Sequence, residues 1–237
     1  MVLTAVMIVA ALMAAAPAAG GDDNNGRGDE RAPEVDLQIL AINDFHGNIA
    51  TSSGSFGGTG RADFLSANIA ATEAAAPGHS IFVSAGDLIG ASPLISALFH
   101  DEPTIEAMNL MGLDINAVGN HEFDEGPAEL LRMQNGGSHP VDGDLDGDGF
   151  DGADFEFLAA NVVVDETGDT IFPSHTVKVY GGVKVAFIGM TLEGTPSIVT
   201  PSGVEGLTFL DEAETVNALV PHLQQNNIES IVVLLHE

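Results

Sequence analysis

The stretch Leu37-Gln38-Ile39-Leu40-Ala41-Ile42 runs directly into Asn43-Asp44-Phe45-His46-Gly47-Asn48. A short apolar run bounded by polar residues and Gly reads as a buried strand. Its exit carries a carboxylate and an imidazole two residues apart. The same arrangement recurs downstream. Ser80–Ser84 leads into Ala85-Gly86-Asp87, and Ile115–Val118 into Gly119-Asn120-His121-Glu122-Phe123-Asp124. Ser230–Leu235 leads into His236-Glu237.

Ligand sites in α/β sheets collect beyond the carboxyl ends of the strands, so these four exits are expected to converge. Two or three carboxylates brought together are costly unless cations neutralise them. Imidazole, carboxylate and amide oxygen together suit a divalent ion such as Mn, Zn or Fe. One Gly-Asp step alone marks only a turn or a cap. The ordered series Asp-x-His, Gly-Asp and Gly-Asn-His-Glu, each after a strand, is far more specific.

Outward from these strands, further strands are predicted at Phe157–Asn161, Thr176–Tyr180 and Val183–Gly189. The last two flank Gly181-Gly182, a hairpin signal. Helices are predicted at Arg61–Ala76, Ser92–Leu98, Thr104–Gly112 and Glu212–Gln225, the last with Asp211 as its cap. This alternation predicts a layered α/β domain over residues 35–237.

Residues 1–19 are apolar and Ala-rich, and Ala16-Pro17-Ala18 offers small residues of the kind a signal peptidase accepts, so an export signal is expected. Residues 20–34 are polar and Gly-rich and read as a disordered linker. Ala is only weakly apolar, so no stable membrane span is expected. The location read from this is secreted, periplasmic or cell-surface.

Thirty-five acidic residues against six basic ones give a net charge of −29, which repels nucleic-acid backbones and disfavours charge-driven DNA or RNA binding. The chain has no Cys, which removes disulfides, thiolate nucleophiles and Cys-ligated metal sites.

The strings Asn43–Asn48, Gly86-Asp87 and Gly119–Asp124 resemble the calcineurin-like metallophosphoesterases, and in particular their 5′-nucleotidase and UDP-sugar hydrolase branch. The resemblance runs from about Val35 to Glu237 and includes Gly57-Gly58-Thr59-Gly60-Arg61 and Leu158–Val162. It implies a sandwich of two mixed β-sheets flanked by helices. It also implies two divalent metal ions, with Asp44 and His46 on one, Asp87 bridging, and Asn120 and His236 on the second. A metal-polarised water or hydroxide would then attack phosphorus. His121, oriented by Asp124, would assist catalysis. The implied substrate is a small phosphate ester, above all a nucleoside 5′-phosphate. Cyclic nucleotides, nucleotide sugars and sulfur compounds are alternatives on the same scaffold. The family supplies further ligands from a Gly-His-x-His or Gly-His-x-Gln segment downstream of the His236 position, so over these residues the site is expected to be incomplete at its C-terminus.

Asp142-Gly143-Asp144-Leu145-Asp146-Gly147-Asp148-Gly149 resembles the first half of a calcium loop, but its twelfth position is Ala153 where a bidentate Glu belongs. A solvated acidic loop and a weak structural calcium site both remain open, and with them a non-catalytic calcium-binding surface protein. His79, His100, His139, His175 and His222 match no metal motif, and surface or packing roles are expected for all five. The tract Thr51–Gly60 is not a P-loop, because no Gly-Lys-Ser/Thr follows it.

Overall fold

The computed structural model describes residues 34–50 and 61–237. The predicted leader, the linker apart from Glu34, and the Gly-rich tract 51–60 lie outside the described residues.

The chain alternates strands and helices as β1 (Gln38–Ile42), α1 (Ala62–Glu73), β2 (Ser80–Ser84), α2 (Leu94–Ala97), α3 (Glu102–Met111), β3 (Ile115–Ala117) and α4 (Pro127–Asn135). There follow β4 (Glu156–Leu158), β5 (Val162–Val164), β6 (His175–Tyr180), β7 (Val183–Thr191), β8 (Leu207–Phe209), α5 (Glu212–Gln225) and β9 (Ser230–His236). Strands β1-β2-β3-β4 form a parallel sheet in that order. Strands β6-β7-β9 form a mixed sheet, with β6 antiparallel and β9 parallel to β7. A small antiparallel ribbon pairs β5 with β8.

Period-2 alternation builds the layers. In β2, Ile81 and Val83 face one way and join Ile115, Ala117 and Leu158 against Val185, Phe187 and Leu234 of the mixed sheet. Phe82 faces the other way, into a core closed by Ile69 of α1, Ile105 and Met108 of α3, and Leu130 and Met133 of α4. In β7 the residues between, Ala186, Ile188 and Met190, pack on Leu223 of α5. The sandwich of two sheets flanked by helices is therefore present. Phe187 is fully buried between the sheets, and burial of such a ring contributes about 1.5–3 kcal/mol.

Local signals explain the elements. Tyr180 pairs with Val183 across Gly181-Gly182, both at positive φ (54° and 87°), as a tight two-residue hairpin requires. The Asp211 carboxylate accepts the Glu214 N–H at 2.7 Å and caps α5.

Four expectations change. The predicted strand at 157–161 is shorter, because Asn161 leaves the ladder and its amide bridges the Thr191 and Leu210 carbonyls. Helix α3 begins two residues earlier than predicted, and α2 is a single turn. On α1, Ile69 is buried but Phe64 is 61% exposed, so the apolar spacing does not set a single buried face. Helix α4 and strands β5 and β8 are additional. Pro127, in the first turn of α4, directly after Gly126, is a helix-start signal that the sequence does carry.

Candidate metal centre

The exits of β1, β2 and β3 in the parallel sheet meet the exit of β9 in the mixed sheet. The loops after β1 and β2 run side by side. Asp44 N–H donates to the Gly86 carbonyl, His46 N–H to Asp87, and Gly47 N–H to Leu88, each at 3.0 Å. Asp44, His46 and Asp87 all take left-handed backbone angles (φ 51°, 46° and 55°). Each such non-Gly residue costs of order 1 kcal/mol or more, and such residues cluster where strain serves a site.

Asp87, 2% exposed, is the hub. Its Oδ1 accepts the backbone N–H of His121 at 2.9 Å. Its Oδ2 lies 3.1 Å from His236 Nε2 and 3.7 Å from His46 Nε2. The latter nitrogen is also 3.6 Å from Asp44 Oδ1. Oxygen and nitrogen ligand atoms of Asp44, Asp87 and His236 fall within 4.8 Å of one another.

Tautomers follow from the other ring nitrogens. His46 Nδ1 donates to the Gly90 carbonyl and His236 Nδ1 to the Ala85 carbonyl, each at 2.9 Å. In the neutral rings both Nε2 atoms are then lone-pair acceptors aimed at carboxylate oxygens. Acceptors facing acceptors need a cation or a proton between them, and a Nδ1–H held by a backbone carbonyl is the usual support of a metal-ligating histidine. The donor set fits a divalent ion.

The electrostatics agree. Burial opposes the charge on His236, but its bond to Asp87 and the charges of Asp87, Glu122 and Asp44 raise its pKa to about 9. Burial likewise works against ionisation of Asp87, yet His236 and the His121 N–H hold its carboxyl below the ordinary value.

His121 reaches the same centre. Its ring lies edge-on to His46 with centroids 5.0 Å apart, and its Nδ1 is 2.8 Å from Asp124 Oδ2. That bond raises the His121 pKa against the opposing effect of partial burial. Asn120, half-buried, opens the short 3-10 turn that carries His121 (His121–Phe123). The structure thus brings Asp44, His46, Asp87, His121, Asp124 and His236 together, with the backbone of Asn120 beside them.

Sequence reading passed over one further residue, Glu122. Its fully buried carboxylate accepts the N–H groups of Asp87 (2.9 Å), Leu88 (2.8 Å) and Gly119 (2.7 Å). Burial away from water, together with the charge of Asp87, pushes its pKa up to about 7. Gly119 is required beside it, since a Cβ there would stand 2.6 Å from the Asp87 nitrogen and 2.9 Å from Glu122 Oε2. The signal was an acidic residue inside an otherwise explained motif, with no partner visible along the chain.

The acidic insertion divides. Asp144, Asp146 and Asp148 form an exposed group, with Asp144 Oδ1 accepting the Gly147 N–H. Asp142, the first residue of the calcium-loop resemblance, turns away from them toward His100 and His139. Those two histidines, for which surface or packing roles are expected, are stacked on each other.

Known proteins similar to this chain indicate its family. The model of the calcineurin-like phosphoesterase family matches residues 37–237. Endonuclease YhcR of Bacillus subtilis is 39% identical over 217 residues, covering 87% of this chain and 17% of that protein. Cell wall protein Lmo0130 of Listeria monocytogenes is 38% identical over 218 residues, 86% of this chain and 28% of the relative. Among solved structures, the 5′-nucleotidase precursor from Thermus thermophilus superposes with a TM-score of 0.66 at 27% identity, over 84% of this chain and 36% of that one. The chain therefore spans about a sixth to a third of the length of these relatives.

Proposed function

Since the chain belongs to the calcineurin-like phosphoesterase family, we propose that it hydrolyses small phosphate esters, nucleoside 5′-phosphates first, at a centre of two divalent ions. The observation that carries this reading is the convergence of two Nε2 atoms, of His46 and His236, on the Asp87 carboxylate from opposite sheets.

Asp44, His46 and Asp87 would hold one ion, and Asp87, Asn120 and His236 the second, with Asp87 shared. Bound ions would polarise a phosphoryl oxygen and lower the pKa of a water molecule. The protein residues do the rest. Glu122 fixes the backbone of the Asp87 loop, and the His121 N–H fixes the Asp87 carboxylate. Asp124 accepts the His121 Nδ1 proton, which leaves Nε2 to exchange a proton with the leaving oxygen. His121 and Asp124 border a small cleft of about 130 Å³ on the side away from the strand ends.

The nucleotide preference is supported by the likeness to the Thermus 5′-nucleotidase precursor. The strongly negative charge disfavours a polyanionic substrate. An extracytoplasmic location is supported by the Ala-rich leader and by the likeness to a cell wall protein. Among the described residues no helix is long and apolar enough to cross a membrane.

The test is release of inorganic phosphate from a nucleoside 5′-monophosphate by metal-stripped protein resupplied with Mn²⁺ or Zn²⁺. Metal-dependent release that is lost in Asp87→Asn supports the reading. Release that persists in Asp87→Asn, or turnover of bis(p-nitrophenyl) phosphate but of no monoester, would overturn it.

A further inference from the structure

A second cluster of ligand atoms lies beyond the catalytic pair. His100, at the turn between α2 and α3, stacks on His139 of the loop after α4, with ring centroids 3.8 Å apart and 14° between the planes. On one side of the stack are Glu125, which lies between the 3-10 turn of His121 and α4, and Glu129 of α4. His100 Nδ1 is 2.7 Å from Glu125 Oε2, and His139 Nε2 is 4.0 Å from Glu129 Oε2. Ligand atoms of all four residues lie within 4.8 Å of one another. On the other side a single carboxylate, Asp142 Oδ2, faces both remaining ring nitrogens, at 3.1 Å from His100 Nε2 and 3.6 Å from His139 Nδ1.

We propose that His100, Glu125, Glu129 and His139 form a further divalent-cation site of the zinc class, with Asp142 as the carboxylate that orients both imidazoles. Two imidazoles and two carboxylates are a donor set suited to zinc. A carboxylate behind a ligating histidine fixes the tautomer that turns the other nitrogen to the metal, and Asp142 is placed to do this for both rings. In the bound state the His139 Nδ1 proton goes to the Asp142 carboxylate, in place of the 3.1 Å contact that this nitrogen accepts from the Asp142 backbone N–H. The rings turn out of their parallel stack to share the ion.

Charge balance points the same way. Arg132 is buried against Glu102 and Glu129, while Glu125 and Asp142 face the imidazoles, so the four carboxylates are set against a single guanidinium charge. Three negative charges are left uncompensated when both imidazoles are neutral. Protonating both rings would set two cations face to face at 3.8 Å, whereas one shared dication relieves the carboxylates without that repulsion. The side chains of Glu129, His139 and His100 are only 10%, 14% and 16% exposed, so the cluster is a partly enclosed pocket. His100, Glu125 and Glu129 line the same small cleft as His121 and Asp124. An ion there would tie the α2–α3 turn, the start of α4 and the loop after α4 to the wall of that cleft.

The experiment counts Zn²⁺ bound per chain by elemental mass spectrometry after gel filtration. It compares the unaltered protein, His100→Gln/His139→Gln and His46→Gln/His236→Gln. One Zn²⁺ fewer is expected in the first double variant. The second is expected to keep the ion that the first loses, which separates this site from the centre at the strand ends. Asp142→Asn should weaken Zn²⁺ at this site by roughly 10–100-fold. On the unaltered protein, saturating Zn²⁺ should slow diethyl pyrocarbonate modification of His100 and His139 but not of His222, a readout that does not depend on any variant folding. Equal Zn²⁺ counts in the unaltered protein and His100→Gln/His139→Gln, or modification of His100 and His139 unaffected by Zn²⁺, would overturn the proposal.

Discussion

His236 Nε2 stands 3.1 Å from Asp87 Oδ2, which joins the last strand of the mixed sheet to the loop after the second strand of the parallel sheet. Each residue alone is a polar group at a strand end. Together they form a contact between the two layers at the point where an ion would sit. A ligand that binds only the folded state stabilises it by mass action, by about 2.7 kcal/mol at a hundred times its Kd. Mn²⁺ or Zn²⁺ should therefore raise the Tm of the unaltered protein, and EDTA should reverse the rise. His236→Ala should show a smaller rise than the unaltered protein, as thermal melts with and without the ion would show.

Glu122→Gln should destabilise the protein by about 1–3 kcal/mol, because the substituted amide turns a donor toward at least one of the N–H groups of Asp87, Leu88 and Gly119. It should also weaken metal binding, since the Asp87 backbone hangs from that carboxylate. Urea titration and Zn²⁺ calorimetry measure the two effects. A fully stable variant with unchanged affinity would remove Glu122 from the support of the site.

His121→Ala and Asp124→Asn should each lower kcat while leaving metal stoichiometry unchanged. The expected loss for His121→Ala is about 100- to 10,000-fold. The loss for Asp124→Asn should be smaller, because the imidazole stays and only its orienting acceptor is altered. Steady-state kinetics beside elemental analysis checks both halves. A loss of bound metal in either variant would reassign the pair from proton transfer to metal support.

The surface charge carries a prediction of its own. Burial first, and then the carboxylates of Asp148, Asp146 and Glu102, raise the pKa of Glu106. The folded state then holds the Glu106 proton more tightly than the unfolded chain. Stability attributable to this group is full below the unfolded value and is lost as pH rises through the folded one. Glu106→Gln should accordingly raise the Tm at pH 7, show no gain at pH 3, and gain less at high salt. The side chain is partly exposed, so the effect should stay below about 1 kcal/mol. Melting curves across that pH range would show the crossover.

What the sequence disclosed, and what it withheld, follows from the range of the interactions. Strand β2 and helix α5 were legible to the residue, because an apolar run or a capped periodic segment is a local property. The strand exits carrying Asp44, His46, Asp87, His121 and His236 were legible because each follows such a run. Strands β5 and β8 were not, since three-residue segments show no period and form only through each other. Glu122 was hidden because its partners, Asp87 and Leu88, lie more than thirty residues away. The grouping of His100, Glu125, Glu129 and His139 was hidden for the same reason. It spans α2 to the loop after α4, and no spacing along the chain announces it.

Crystals grown with Mn²⁺, with data collected where manganese scatters anomalously, would test the strand-end centre most directly. Anomalous peaks bounded by Asp44, His46, Asp87 and His236, and absent in Asp87→Asn, are predicted. Mn²⁺ bound elsewhere on the surface, with no peak between the two sheets, would contradict a metal centre at the strand ends.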